Sequence, residues 1–172
     1  MLAALNKSQA VISFTPDGNI LSANENFLLA IGYTLSEILG KHHSMFVEAA
    51  YGKSQEYKDF WQALKRGEFQ AAEFKRITKN GSEIWIQASY NPISDKYGKV
   101  IKVVKYATDI TERVMQSADH EGQIDAISKA QAVISFELDG TIRNANDNFL
   151  NAVGYSLDEV VGQHHRVFVE PA

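Results

Sequence analysis

Residues 9 to 111 predict an α+β domain, a five-stranded antiparallel sheet with short helices packed on one face. Three observations predict it. Five strand-like runs are punctuated by the turn signals Asp17-Gly18, Asn80-Gly81 and Asp95 to Gly98. All the helix signals fall between the second and third runs, so the helices share one side of the sheet. In the longest run Ile84, Ile86, Ala88 and Tyr90 alternate with Trp85, Gln87, Ser89 and Asn91, as a sheet with one covered face requires.

The first two strands are expected at 9–15 and 19–23, joined by Pro16-Asp17-Gly18, which presets one φ and then tolerates a positive one. Asn24 or Asn26 caps a short helix through Phe27, Leu28 and Ile31 that Gly32 ends. Thr34-x-x-Glu37 is a capping box for a second short helix, stopped by Gly40. A longer helix starts near Ser54. Its Tyr57, Phe60, Trp61 and Leu64 stand at i, i+3, i+4 and i+7, an inward aromatic stripe, with Lys65 and Arg66 suiting the C-terminal dipole and Gly67 closing it. Strands follow at about 69–78, 83–93 and 99–108, and the sheet closes back onto its first strand, leaving a hollow under the helices. From Asp109 the pattern turns to polar helix with a thin apolar edge of Ile110, Val114 and Ala118, a connector that ends near Lys129.

Displaced by 122 positions, the chain matches itself: Lys7 to Ala50 and Lys129 to Ala172 agree at 27 of 44 positions without a gap. GKHHSMFVE returns as GQHHRVFVE, and Thr34-x-x-Glu37 as Ser156-x-x-Glu159. A period this long signals two copies of a small domain, the second carrying only its first part. The expected organisation is an N-terminal cap segment at 1–8, a first domain at 9–111, a helical linker at 112–129 and an incomplete second domain at 130–172. In that second part Phe136, Ile142, Phe149 and Tyr155 lack long strands to cover. Either it is disordered, or it swaps onto the long strands of a second copy of the chain.

The 172 residues carry a net charge of −4, 45% hydrophobic and 22% charged residues and no cysteine. The charge gives no reason to expect nucleic acid or an anionic membrane as partner. Lack of cysteine removes disulfides, thiol catalysis, iron–sulfur clusters and any chromophore attached through sulfur. No run approaches the ~20 apolar residues that span a bilayer, so a cytoplasmic address is expected, with membrane association left open for a longer protein.

The chain resembles the PAS sensory domains, in particular the tandem pairs at the N-terminus of bacterial methyl-accepting chemotaxis transducers. The resemblance rests on Asp17-Gly18, Asn24, Asn26-Phe27, Gly32-Tyr33, GKHHSMFV, Phe60-Trp61, Leu64, Gly67-Glu68, KNGSEIWIQASYNPI and ATDIT. It implies the fold derived above, reception of a small molecule or cofactor, homodimerisation, and relay to a downstream signalling domain through the helix after Asp109-x-Thr111. The alternatives to this reading are a ligand-free dimerisation module, or the sensory part of a histidine kinase or cyclic-dinucleotide enzyme. Some members hold haem through a histidine in this region, so His43 or His42 is the candidate axial ligand, unless one histidine fills the core edge and the other faces water.

Adjacent histidines lack the i, i+4 spacing of a zinc pair, so no other metal is expected. Trp61, with Tyr57, Phe60 and Leu64, offers a stacking surface for a flavin or forms plain core. The expected ligand pocket comprises His42, His43, Phe46, Tyr57, Trp61, Leu64, Ile86 and Tyr90. No GxSxG, phosphate-binding loop or HExxH is present, and no catalytic residue is assigned.

Overall fold

The computed structural model describes residues 9–169 as two compact units that meet between Val114 and Met115. The expected cap segment 1–8 lies outside the described residues, as do the last three positions of the repeat.

The first unit begins with β1 (Ala10–Phe14) and β2 (Ile20–Ala23), an antiparallel hairpin. Its turn closes through Gly18 N donating to Thr15 O at 2.9 Å, with Gly18 at φ +87°. Helix α1 (Glu25–Ile31) is capped by Asn24, which resolves the choice between two asparagines. Asn24 Oδ1 accepts from Phe27 N (3.0 Å) and from Val11 N (2.9 Å), while its Nδ2 donates to Gln9 O (2.8 Å). One side chain thus ends a strand and starts a helix. Asn146 repeats the device in the second unit, accepting from Val133 N and Phe149 N. Asn24→Ala is expected to cost about 2 kcal/mol in a urea titration, the cap contributing ~1 and the stranded backbone groups the rest.

Gly32 ends α1 at φ +77°, and α2 (Leu35–Ile38) starts with the Thr34/Glu37 capping box. A 3-10 turn (His43–Phe46), α3 (Ala49–Gly52) and α4 (Gln55–Lys65) follow, α4 capped by Ser54. The aromatic stripe of α4 faces in, with Tyr57, Trp61 and Leu64 buried.

Three long strands, β3 (Gln70–Ile77), β4 (Glu83–Ser94) and β5 (Val100–Asp109), complete a sheet of order β2-β1-β5-β4-β3 with every neighbouring pair antiparallel. This is the expected α+β architecture. Register pairs Ala10 with Ala107, Tyr90 with Lys105 and Phe74 with Ile86. The strand period of two then places Ile12, Phe14, Phe74, Arg76, Ile86, Tyr90, Val103 and Lys105 on the helix-covered face.

The hollow expected beneath the sheet is largely filled. The rings of Phe14, Phe46, Tyr57, Trp61 and Tyr90 converge on His43, each with its centroid 5.3–6.1 Å from the imidazole, and they occupy the space the strand pattern left open. What persists is a cavity of about 20 Å³ between α1, the 3-10 turn and the strands.

Helix α5 (Thr111–Ala130) runs across the boundary between the units and buries none of its residues. The second unit contains β6 (Ile134–Phe136) and β7 (Ile142–Ala145), α6 (Asp147–Val153), α7 (Leu157–Val160) and a 3-10 turn (His165–Phe168). It reproduces the first unit's hairpin and turns, down to Gly162 N donating to Ile142 O where Gly40 N donates to Ile20 O. Ile142, Ala145, Leu150 and Val160 form a small core, whereas Phe136 and Tyr155 stay exposed. The segment is therefore folded, with part of its apolar surface uncovered. No helix among the described residues is long and apolar enough to cross a membrane.

Candidate functional site

The interior of the first unit is built around a polar chain. His43 is fully buried, with Nδ1 2.7 Å from Tyr57 Oη and Nε2 2.9 Å from Tyr90 Oη. Arg76, itself buried, donates from Nη2 to Tyr90 Oη at 3.0 Å and from Nη1 to Lys75 O at 2.6 Å. A guanidinium has no acceptor, so Tyr90 Oη accepts from Arg76 and its own proton is free for His43 Nε2. His43 then carries its proton on Nδ1 and donates to Tyr57 Oη, the tautomer that satisfies both ring nitrogens.

Electrostatics keep this chain uncharged at His43. Burial, then the positive charges of Arg76 and Lys105, hold the imidazole well below the ordinary histidine range. Burial likewise pushes the Tyr57 and Tyr90 phenols up, so both stay protonated. Lys105 is also buried, beside Tyr90 across the strand pair. Burial, and then Arg76, hold its ammonium well below the ordinary lysine range.

His42, half-buried, has a local job. Its Nδ1 accepts from Ser44 N at 3.1 Å, capping the 3-10 turn, and its ring packs against Gly18, where an added Cβ would lie 2.6 Å from Nε2. Of the other expected pocket residues, Phe46, Tyr57, Trp61 and Tyr90 gather around His43. Ile86 and Phe46 line the small cavity, and Leu64 is buried in the common core.

A haem at either histidine does not fit this interior. Both nitrogens of His43 are engaged by tyrosines, and the accepting nitrogen of His42 is committed to a backbone amide. The 20 Å³ cavity is also far below the roughly 300 Å³ that a cofactor-sized ligand fills. Trp61 does not line that cavity; with His42 and Tyr57 it edges a separate surface cleft of about 310 Å³, while its ring packs edge-on against Phe14 and His43 in the core. Among the described residues no group of three metal-ligating side chains is present.

The expected relay residues meet at the end of the sheet. Asp109 Oδ1 accepts from Thr111 N at 2.8 Å, and Thr111 Oγ1 accepts from Trp85 N at 2.9 Å. Ile110 N donates to Trp85 O at 2.8 Å. The first turn of α5 is thereby fastened to β4, the neighbour of the strand it leaves, and Arg113 adds an ion pair to Glu73 on β3.

A family model described as "PAS fold" matches residues 20–107, more than half of the chain. The chain belongs to the PAS fold family. A second model, described as "PAS domain", matches residues 131–172. Across 170 residues the chain is 47% identical to biofilm dispersion protein BdlA of Pseudomonas aeruginosa, covering 99% of this chain and 41% of that protein. It is 30% identical over 100 residues to the aerotaxis receptor of Escherichia coli, 58% of this chain and 19% of the receptor. The chain thus spans less than half the length of these curated relatives. A solved RNA-binding light-oxygen-voltage receptor shares the PAS fold with a TM-score of 0.60 and 23% identity, covering 72% of this chain and 36% of that one. Likeness at that identity is one of fold.

Two residues of this PAS interior escaped the sequence reading, Arg76 and Lys105. The signal was present. Arg76 is in phase with Phe74 on β3, and Lys105 with Val103 and Ala107 on β5, so each cation occupies an inward position of its strand.

Proposed function

We propose that the first PAS unit is the sensory module of a bacterial signal transducer serving chemotaxis or a related behaviour. It acts by conformational coupling rather than turnover, and a small molecule held in its interior is the signal. The observation that carries the reading is the junction at Trp85, where three hydrogen bonds bind the start of α5 to β4. A shift of the central strands is felt there as a displaced helix start. The names of the bacterial relatives, a dispersion protein and an aerotaxis receptor, support a receptor-type setting. A cytoplasmic homodimer that relays to a downstream signalling domain is part of the same proposal.

Thr111→Val tests the junction. It removes the acceptor for Trp85 N, and hydrogen exchange at Trp85 is expected to speed up roughly tenfold, a loss of about 1.4 kcal/mol. The urea midpoint of the core should move little. Unchanged exchange at Trp85 would remove the coupling from the reading.

A second reading, a ligand-free dimerisation module, draws on the filled aromatic interior. Native mass spectrometry separates the two. A small molecule that leaves only on denaturation favours sensing, and a stable dimer with no added mass across a metabolite panel favours the second.

A further inference from the structure

We propose that the cavity beside Lys105 and Arg76 is a binding site for a small monoanion of chloride or formate size, and that Asp109 at its rim reports occupancy to α5. The inference rests on the sensory reading above and names its ligand class.

The cavity lies between α1 and the inner sheet face, lined by Phe27, Ile31, Phe46 and Ile86 together with Lys105 and Arg76. Apart from Asp109 at the rim, its other lining residues are apolar. Lys105 is 1% exposed and Arg76 4% exposed. Among the described residues, no hydrogen bond engages the Lys105 ammonium, which lies 5.1 Å from the Tyr90 ring centroid and 5.6 Å from that of Phe27. Arg76 Nε is buried without an acceptor. The buried polar residues described are Ser13, His43, Arg76 and Lys105, with no carboxylate among them.

Two basic side chains held in an apolar interior with no buried counter-charge are costly to ionise, and a chain that needed only packing would place apolar side chains here. A bound anion supplies what both lack: a charge for Lys105 and an acceptor for Arg76. Size narrows the class. One water needs about 10–15 Å³, so 20 Å³ admits one to a few heavy atoms and no nucleotide, flavin or dicarboxylate.

Asp109 also lines the cavity, in the same strand phase as Lys105, and its carboxylate holds Thr111 N. The charged groups facing the site are therefore Lys105, Arg76 and Asp109, with the neutral phenol of Tyr90 between strands. An arriving negative charge attracts the first two and repels the third, which loosens the cap at the start of α5.

The test uses the whole chain with isoleucine δ1-methyl labelling, in sodium gluconate exchanged for formate or chloride at constant ionic strength. Ile31, Ile84 and Ile86 line the site, and Ile134 and Ile142 of the second unit are internal controls. Saturable shifts confined to the first three are expected, with exchange at Thr111 N rising at saturation. Lys105→Met fills similar volume without charge, and should remain folded while weakening binding at least tenfold. Shifts linear in salt at all five methyls, or unaltered in Lys105→Met, would overturn the anion site. Unchanged exchange at Thr111 would overturn the role of Asp109. If a neutral metabolite binds the interior and no anion does, the anion class fails while the sensory reading stands. If neither binds, both fail.

Discussion

His43→Ala is expected to lower the unfolding free energy of the first unit by about 4 kcal/mol in a urea titration near neutral pH. The side chain is fully buried and ringed by five aromatic groups, so its removal leaves a cavity of the kind that costs roughly 3–5 kcal/mol for an aromatic truncation. It also strands Tyr57 Oη and the Tyr90 proton, each about 1 kcal/mol or more. Tyr90→Phe, which keeps the ring but orphans His43 Nε2 and Arg76 Nη2, should cost about 1–3 kcal/mol. A His43→Ala midpoint within experimental error of the parent would refute the central role given to this histidine.

The same residue sets a pH dependence. The unfolded imidazole titrates near 6.5 and the folded one well below it, so as pH falls beneath 6.5 the unfolded state binds the extra proton. Stability therefore declines with acid, at up to about 1.4 kcal/mol per pH unit until the folded pKa is passed. His43→Gln, which cannot take the proton, should flatten that limb. Lys105 acts in the same sense at alkaline pH. Its folded pKa lies well below 10.5, so stability gains from this group as pH rises towards 10.5.

Gly18→Ala should cost about 2–3 kcal/mol, whereas the equivalent Gly140→Ala should cost about 1. Both glycines sit near φ +87°, where a Cβ is strained by roughly 1–2 kcal/mol. The surroundings differ. At Gly18 the new Cβ meets His42 Nε2 at 2.6 Å and Trp61 Cε2 at 3.0 Å, and Trp61 is wedged in the core. At Gly140 it meets His164 and His165, which are not packed into a core and can turn aside. Unit-resolved hydrogen exchange reads the two costs separately, and equal costs would show that backbone strain alone decides both.

The backbone plan was legible because each junction is written in a few adjacent residues. Asp17-Gly18 and Asn80-Gly81 announced their turns, Thr34 and Glu37 their box, and the i, i+3, i+4, i+7 stripe the buried face of α4. The interior was harder to read. Whether a sheet and its helices enclose space depends on how far side chains reach, and Phe14 from β1, Tyr57 from α4 and Tyr90 from β4 meet His43 from segments up to 76 positions apart in the chain. No local pattern encodes that meeting. Lys105 and Arg76 were missed because a cation on a strand is ordinarily taken for its solvent side, and only the register with Tyr90 and Ile84 shows otherwise.

The sheet order also has a mechanical meaning. Because β1 and β5 are antiparallel neighbours, with Ala10 opposite Ala107, the polypeptide enters and leaves the first unit at the same end of the same strand pair. Tension applied between those two ends peels the ladder one bond after another, instead of loading all its bonds together. A unit wired in this way yields to a small pull once the fastening of the outgoing helix to β4 at Trp85 has given way.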